Sequence, residues 1–180
     1  MEIRPTRLGC AELRQDVFID SRGAFVKVFQ RSVFSNYRLD LGVAEMFFSR
    51  SNRGVIRGMH FQAPPRHQTK LVTCVSGTVL DVIVDLRADG PTYGQTEAFE
   101  LDASKGRALY IPEGFAHGFA TLTEEAVMLY ATSAEHDPAY DTGVRWDSID
   151  FEWPFQQPAV SDRDRSFIAL AEFQSPFHGR

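Results

Sequence analysis

Three side chains with complementary chemistry lie close together in the sequence, since Arg57, His60 and Lys70 fall within fourteen residues. They lie on two predicted short strands around a Pro-Pro turn. A neutral imidazole can remove a proton near neutral pH. A guanidinium suits phosphate oxygens, and a fixed ammonium can stabilise an enolate. The set therefore indicates proton abstraction beside a bound phosphate. Residues 111–119, which include His117, are predicted to form the partner half of the same barrel.

Strand patterns dominate the chain around these residues. Short runs rich in β-branched and aromatic residues are separated by Gly, Pro, Asp and Ser turns about every 8–12 residues, the spacing of an antiparallel sandwich or barrel. The predicted strands are residues 24–29, 70–75, 78–85, 96–101, 108–111, 118–122 and 126–132. Residues 75–78 are predicted to form a tight hairpin, with Gly77 supplying a positive φ. Short helices are expected over residues 31–38 and 165–173.

The composition bounds the class of protein. A chain of 180 residues with 43% hydrophobic and 24% charged residues fits one globular domain. A formal charge of −5 argues against a nucleic-acid partner. No apolar run reaches the ~18 residues of a membrane span, and the N-terminus lacks a signal-peptide pattern. We therefore expect no membrane partner and a cytoplasmic location. Cys10 and Cys74 lack metal-type spacing, and we expect one buried thiol and one partly exposed thiol.

The spacing around His60 and His117 resembles the cupin superfamily, whose two motifs usually supply metal ligands. His60 stands at the first ligand position, Gln62 replaces the second histidine, and Lys70 occupies the place of the glutamate. His117 matches the second motif. Because a metal ion binds neutral imidazoles and anions, an ammonium in the cluster argues against one. We expect no metal and no cofactor, with Lys70 supplying positive charge instead.

A longer series of motifs narrows this resemblance. The motifs are Asp20-Ser-Arg-Gly23, Gly54-Val-Ile-Arg-Gly-Met-His-Phe-Gln62, Asp81-Val-Ile-Val-Asp-Leu-Arg87, Tyr110-Ile-Pro-Glu-Gly-Phe-Ala-His-Gly-Phe119, Gly143-Val-Arg-Trp-Asp147 and Ser161-Asp-Arg-Asp164. In this order the chain resembles the dTDP-4-dehydrorhamnose 3,5-epimerase family. The resemblance implies an all-β, cupin-type jelly-roll barrel or sandwich with a few short helices. We expect one domain over residues 1–180, with a core at about 18–170 and a C-terminal tail packing over the barrel.

The resemblance also implies an activity and roles for residues. It implies a metal-free homodimer that inverts C3 and C5 of a nucleotide-linked 4-keto-6-deoxyhexose through an enolate. His60 matches the base, Asp164 the carboxylate that orients it, and Lys70 the enolate partner. Arg22 and Arg57 match positions that hold the diphosphate. Further predicted substrate contacts are Phe25, Phe47, Gln62, His117 and Arg145. Two alternatives stay open, a helix N-cap for Asp164 and an exposed turn arginine for Arg22.

The chain departs from the family pattern on the second face of the sugar. His136 stands where a tyrosine is usual as the opposed acid, while Tyr130 remains. Either His136 replaces that acid, or the donor is lost and one centre is inverted, or Tyr140 or water substitutes. Phe47 lies where an asparagine is usual; it either stacks on the substrate or belongs to the core. The nucleotide and the sugar stay open.

Other functions compete with a 3,5-epimerase. A single-centre epimerase and a 3,4-ketoisomerase would share the same chemistry near a ketone. A metal-dependent cupin oxygenase would use His60, Gln62 and His117 as ligands. A non-catalytic cupin would bind a sugar nucleotide without exchanging its protons.

Overall fold

The computed structural model describes residues 1–178. This part of the chain forms thirteen strands and two short α-helices. The strands are β1 (Glu2–Pro5), β2 (Ala11–Arg14), β3 (Val17–Asp20), β4 (Gly23–Val26), β5 (Glu45–Asn52), β6 (Ile56–Gln62), β7 (Lys70–Ser76), β8 (Thr78–Asp85), β9 (Thr96–Asp102), β10 (Arg107–Ile111), β11 (Phe115–Thr121), β12 (Glu125–Thr132) and β13 (Asp141–Gly143). The helices are α1 (Arg31–Asn36) and α2 (Asp162–Arg165). The all-β prediction is confirmed.

Two antiparallel sheets form a sandwich. One has six strands in the order β1-β2-β10-β7-β12-β5, and the other has five in the order β13-β6-β11-β8-β9. The pair β3–β4 is a separate hairpin that joins neither sheet. Because strands that are neighbours in sequence mostly lie in different sheets, the chain repeatedly crosses between the layers. These crossings bring residues distant in sequence onto the two walls of one interior.

The core between the sheets follows from strand alternation, which turns every second side chain inward. Val72 and Met128 from the six-stranded sheet pack with Ile83 and Phe119 from the five-stranded sheet. All four are almost completely buried. Burial of each such side chain contributes about 1.5–3 kcal/mol. This core holds the two walls of the interior in fixed positions.

Both outer faces of the sandwich are covered as well. Phe34 of α1 is buried against the six-stranded sheet near Leu13. On the other side Phe173 and Phe177 of the C-terminal tail contact the ring of Phe61, with centroids 5.4 and 5.6 Å apart. No helix within the described residues is long and apolar enough to cross a bilayer.

Two local predictions are wrong. Residues 75–78 do not form a hairpin, because β7 and β8 lie in different sheets. Gly77 does have a positive φ of 76°, and a Cβ there would lie 2.3 Å from the carbonyl oxygen of Glu125, so the crossing requires glycine. The predicted helix over residues 165–173 is reduced to a single 3-10 turn at Leu170–Glu172. The chain leaves α2 after Arg165, and Ile168 instead forms an isolated bridge with Val144.

Candidate active site

A cavity of about 280 Å³ opens between the two sheets. Both sheets and two loops contribute side chains to it, and most of these are polar or aromatic. The lining residues are Glu45, Phe47, Ser49, Arg57, His60, Gln68, Lys70, His117, Phe119, Tyr130, His136, Asp141 and Arg163. The cavity therefore joins residues that the sequence separates by more than a hundred positions.

His60 and Asp164 form a hydrogen-bonded pair. His60 Nε2 lies 2.8 Å from Asp164 Oδ1, and Asp164 Oδ2 accepts a 3.1 Å hydrogen bond from the backbone N–H of Gly58. A Cβ on Gly58 would lie 2.6 Å from Gly118 Cα on the neighbouring strand β11. Glycine at position 58 therefore permits the close approach of the β6 and β11 backbones. Ser161, not Asp164, caps α2. Asp164 is thus held on His60 from two sides.

The electrostatics of this pair favour a neutral, correctly oriented base. Burial lowers the pKa of His60, and the hydrogen bond to Asp164 opposes part of that change. Burial acts to raise the pKa of Asp164, but the hydrogen bonds from His60 and Gly58 outweigh it, so this pKa is lowered. An ionised Asp164 accepts a hydrogen bond from Nε2–H of His60. Nδ1, which has no hydrogen bond within residues 1–178, is then left with its lone pair.

Lys70 supplies a buried positive charge beside this pair. It begins β7, on the opposite sheet from His60, and its Nζ donates a 3.1 Å hydrogen bond to the His60 carbonyl oxygen. Burial lowers the pKa of Lys70 to about 8, while Asp141 and Asp81 act in the opposite direction. The side chain is therefore mostly an ammonium at pH 7.

Tyr130 also faces His60 from the opposite sheet. Its side chain is buried in β12, and burial raises its pKa, so the phenol keeps its proton at neutral pH. The ring of Phe47 stacks on it, with centroids 4.7 Å apart and planes 11° apart. His117 meets the same ring edge-on at 6.2 Å. Because Phe47 is 44% exposed, the alternative that it belongs to the core is wrong, and its predicted contact with substrate stays a prediction.

His117 belongs to a second histidine–carboxylate pair, and this one is fully buried. Its Nε2 lies 2.7 Å from Asp81 Oδ2, and both side chains are buried. In the antiparallel pairing of β11 with β6, His117 lies directly opposite His60. Burial raises the pKa of Asp81, and the interaction with His117 partly offsets this. His117 is thereby fixed in the cavity wall next to Tyr130.

The mouth of the cavity carries charged side chains. Arg57 is anchored by a 2.9 Å hydrogen bond from its Nε to Ser51 Oγ. Asp141 Oδ2 lies 3.0 Å from His136 Nε2 and 2.7 Å from Arg163 Nη2. His136 is 53% exposed and lies at this rim. The mouth therefore presents guanidinium groups to an incoming anion.

Five predicted site residues do not line the cavity. Asp164 is one of them, and it lies behind His60, to which it is hydrogen-bonded. Arg22 is exposed and binds Asp20 of its own turn, and Phe25 lies on the same β3–β4 hairpin. Gln62 is buried, and its amide binds the backbone of the two flanking loops instead. Arg145 binds Asp147 at 2.5 Å. The amide of Gln62 is thus used to fix the backbone, and the guanidinium of Arg145 is paired with a neighbouring carboxylate.

The sequence analysis missed several lining residues. Arg163 is the most important, and it directly precedes Asp164 in the quoted motif, so a carry-over of that whole motif could have found it. Asp141 and Gln68 had no usable signal, because polar residues in loops and strands are common. Asp81 does not line the cavity but binds His117, and it too lies in a quoted motif. Their importance depends on contacts that only the fold creates.

The residues in this cavity do not offer a metal-binding set. Within residues 1–178 no three His, Cys, Asp or Glu side chains are grouped as ligands. His60 and His117 each bind a carboxylate, and Gln62 binds backbone groups. The buried ammonium of Lys70 would repel a cation at the same place.

The fold and the cavity define a class: a cupin-like β-sandwich enzyme with a histidine–aspartate pair, a buried lysine and a buried tyrosine around one cavity. A sequence model described as dTDP-4-dehydrorhamnose 3,5-epimerase matches residues 7–172. The chain belongs to the dTDP-4-dehydrorhamnose 3,5-epimerase family, as its motifs predicted.

Individual relatives agree with this assignment. A dTDP-4-dehydrorhamnose 3,5-epimerase of Shigella flexneri is 42% identical and covers 82% of this chain and 83% of its own length. A dTDP-4-dehydrorhamnose 3-epimerase of Streptomyces niveus is 39% identical, with 96% and 85% covered. The crystal structure of a dTDP-6-deoxy-D-glucose-3,5-epimerase from Legionella pneumophila, in complex with dTDP-4-keto-L-rhamnose, has a TM-score of 0.94 at 29% identity and covers 99% of both chains.

Proposed function

We propose that this protein is an epimerase that inverts C3, C5 or both in a dTDP-linked 4-keto-6-deoxyhexose. One observation carries the proposal. Half-buried His60, paired with buried Asp164, faces Lys70 and Tyr130 across a single cavity. This arrangement provides a base, an anion partner and an acid on opposite walls. Family membership and the names of the relatives support the same substrate class.

The first step is removal of a proton next to the ketone. The C4 carbonyl acidifies the protons on C3 and C5, because their loss gives an enolate. His60 Nδ1 takes the proton, and Asp164 stabilises the imidazolium through Nε2–H. The electron pair of the broken C–H bond moves onto the C4 oxygen, where the Lys70 ammonium stabilises it. A positioned base contributes about 10²–10⁴-fold and an oxyanion partner about 10²–10³-fold.

The second step returns a proton to the other face. The phenol O–H of Tyr130 breaks as a new C–H bond forms, and the carbonyl at C4 is restored. The tyrosinate then regains a proton from water, and the imidazolium of His60 loses one. Inversion follows because base and acid lie on opposing sheets. His136, exposed at the rim, suits a role in binding better than a role as this acid.

Two matched substitutions test the assignment of the acid. Tyr130→Phe is expected to lower inversion by roughly 10²–10⁴-fold while deprotonation by His60 continues. His136→Phe is expected to preserve both reactions within a few fold. NMR in D₂O separates exchange from inversion at each carbon. Loss of inversion in His136→Phe together with normal inversion in Tyr130→Phe would assign the acid to His136.

The diphosphate is expected to bind at the mouth of the cavity. Arg57 and Arg163 both point to this region, and guanidinium groups suit phosphate oxygens. Phe47 and His117 are proposed to contact the sugar or the base from the walls. Arg22 and Phe25 require another explanation, because no residue of β3 or β4 is among the described residues that line the cavity.

We propose a homodimer in which the β3–β4 hairpin of one protomer reaches the cavity of its partner. The hairpin joins neither sheet and exposes Phe18 and Ile19 at 61% and 78%. Large exposed apolar side chains grouped in this way mark interaction surfaces. A second copy would give Arg22 and Phe25 their predicted contact with substrate.

A charge on the hairpin tests this dimer. Ile19→Asp is expected to shift the mass in solution from twice 20.3 kDa to 20.3 kDa and to weaken substrate binding. Val43→Asp, which places the same charge on another exposed apolar residue, serves as the control. Sedimentation velocity measures both variants. An active wild-type monomer, or an Ile19→Asp variant that stays dimeric, would refute the arrangement.

The proposed activity is tested by product analysis with dTDP-4-keto-6-deoxyglucose. The sugar recovered after reduction of the ketone reports the configuration at C3 and C5. A ketone found at C3 would instead identify a 3,4-ketoisomerase, and binding without any conversion would identify a non-catalytic cupin. Full loss of activity in a chelator, restored by a metal ion, would support the metal-dependent alternative. The cytoplasmic location stays a prediction.

A further inference from the structure

Phe47 makes an aromatic contact that the reaction steps above do not use. It lies on β5, the outermost strand of the six-stranded sheet, directly opposite Tyr130 of β12. The two rings are nearly parallel, at 11°, with centroids 4.7 Å apart. His117 meets the Tyr130 ring edge-on, at an angle of 69°. The phenol ring is therefore held by a face on one side and an edge on the other.

The two contacts differ in how firmly they are fixed. His117 is buried and bound to Asp81, so its ring has little freedom. Phe47 is 44% exposed on an edge strand and has no polar atom in its side chain. Its effect on Tyr130 therefore comes from ring contact alone. Removing that ring frees one face of the phenol while the rest of the cavity wall stays in place.

We propose that Phe47 is a positioning residue for Tyr130, which holds the phenol in the orientation from which it delivers a proton to the second face of the sugar. This inference rests on the proposed function, in which Tyr130 is the acid. Phe47 itself takes no part in proton transfer. Loss of a stacked aromatic contact changes the population of an oriented ring by about 2- to 10-fold.

The enolate has two fates, and their ratio isolates this effect. If His60 returns a proton that has exchanged with solvent, the carbon gains deuterium and keeps its configuration. If Tyr130 delivers the proton, the carbon gains deuterium and is inverted. Both fates share the first deprotonation, so the rate of that step cancels from the ratio of inversion to exchange with retention. A change that affects only proton delivery by Tyr130 therefore changes this ratio.

The experiment compares Phe47→Leu, Phe47→Tyr and Phe48→Leu by NMR in D₂O with dTDP-4-keto-6-deoxyglucose. Phe47→Leu is expected to lower the ratio of inversion to retained exchange by about 2- to 10-fold, and a weaker contact with substrate does not alter this ratio, because both fates start from the same bound enolate. Phe47→Tyr keeps a stacking ring and is expected to restore the ratio. Phe48→Leu removes the same ring from the next residue, which is 67% exposed, and is the matched control. Phe47→Met repeats the test should leucine lower the melting temperature.

Other outcomes would overturn the inference. An unchanged ratio with a raised KM would make Phe47 a substrate contact only. An equal fall in exchange and inversion would make its role structural. An equal fall of the ratio in Phe48→Leu would show that the substitutions disturb strand β5 as a whole, and not the ring contact between Phe47 and Tyr130. Failure of the proposed function is distinct, because wild-type protein would then exchange neither C3 nor C5.

Discussion

His60→Ala is expected to lower proton exchange at both C3 and C5 by roughly 10²–10⁴-fold. The reason is that one imidazole, held by Asp164 and free at Nδ1, serves as the base for both carbons. Affinity for dTDP is expected to be largely unchanged, because the arginines that suit the diphosphate lie at the mouth of the cavity. Exchange is measured by NMR in D₂O and affinity by calorimetry.

Two further variants make this result interpretable. His60→Asn retains a donor for Asp164 and so preserves the partner of a buried carboxylate while removing the base. His136→Ala removes a second cavity histidine that also binds an aspartate, and it is expected to leave exchange intact. Normal exchange in His60→Ala would refute the assignment of the base. A loss of exchange in His136→Ala, with normal exchange in His60→Ala, would instead identify His136 as the base.

Lys70→Met is expected to lower exchange by about 10²–10³-fold and at the same time to stabilise the fold. The ammonium is buried, and burying a charge costs free energy that a methionine of similar length does not incur. The gain is expected to be on the order of 1–3 kcal/mol in the free energy of unfolding. Lys105→Met, at an exposed lysine, is the control. Denaturant unfolding measures the stability.

The same residue predicts the alkaline limb of the pH profile. Because burial lowers the pKa of Lys70 to about 8, the ammonium loses its proton as the pH rises past that value, and exchange is expected to fall. Lys70→Arg keeps its charge at every accessible pH, so this limb is expected to move to higher pH. A limb that stays near pH 8 in Lys70→Arg, or an inactive but destabilised Lys70→Met, would contradict the role of Lys70.

Most strands could be predicted from local pattern. Residues 78–85 and 126–132 coincide with β8 and β12 to within one residue, because alternation and turn residues are local signals. Local pattern did not predict which strands belong to the same sheet. Gly77 has the positive φ of a hairpin turn, yet it carries the chain from one sheet to the other. A turn signal cannot distinguish these outcomes, because long-range packing decides between them.

The candidate site was predicted in part. His60 and Asp164 are 104 residues apart, so only the resemblance to a family, and not spacing, paired them before the structure did. Phe47 reads as core by its type, but it lies on an edge strand and contacts Tyr130. Arg163 was missed because only the aspartate of the Ser161–Asp164 motif was given a role. Arg163 reaches the cavity only because the fold places α2 beside it, and no local sequence pattern shows that placement.

The central claim is that His60, oriented by Asp164, removes a proton next to a ketone while Lys70 stabilises the enolate. The most direct measurement is NMR of the wild-type protein with dTDP-4-keto-6-deoxyglucose in D₂O, in which the sugar provides its own control. We predict loss of the proton signal at C3, C5 or both, with the C2 proton retained because C2 is not adjacent to the ketone. Retention of the C3 and C5 signals, with the nucleotide sugar bound, would contradict the account.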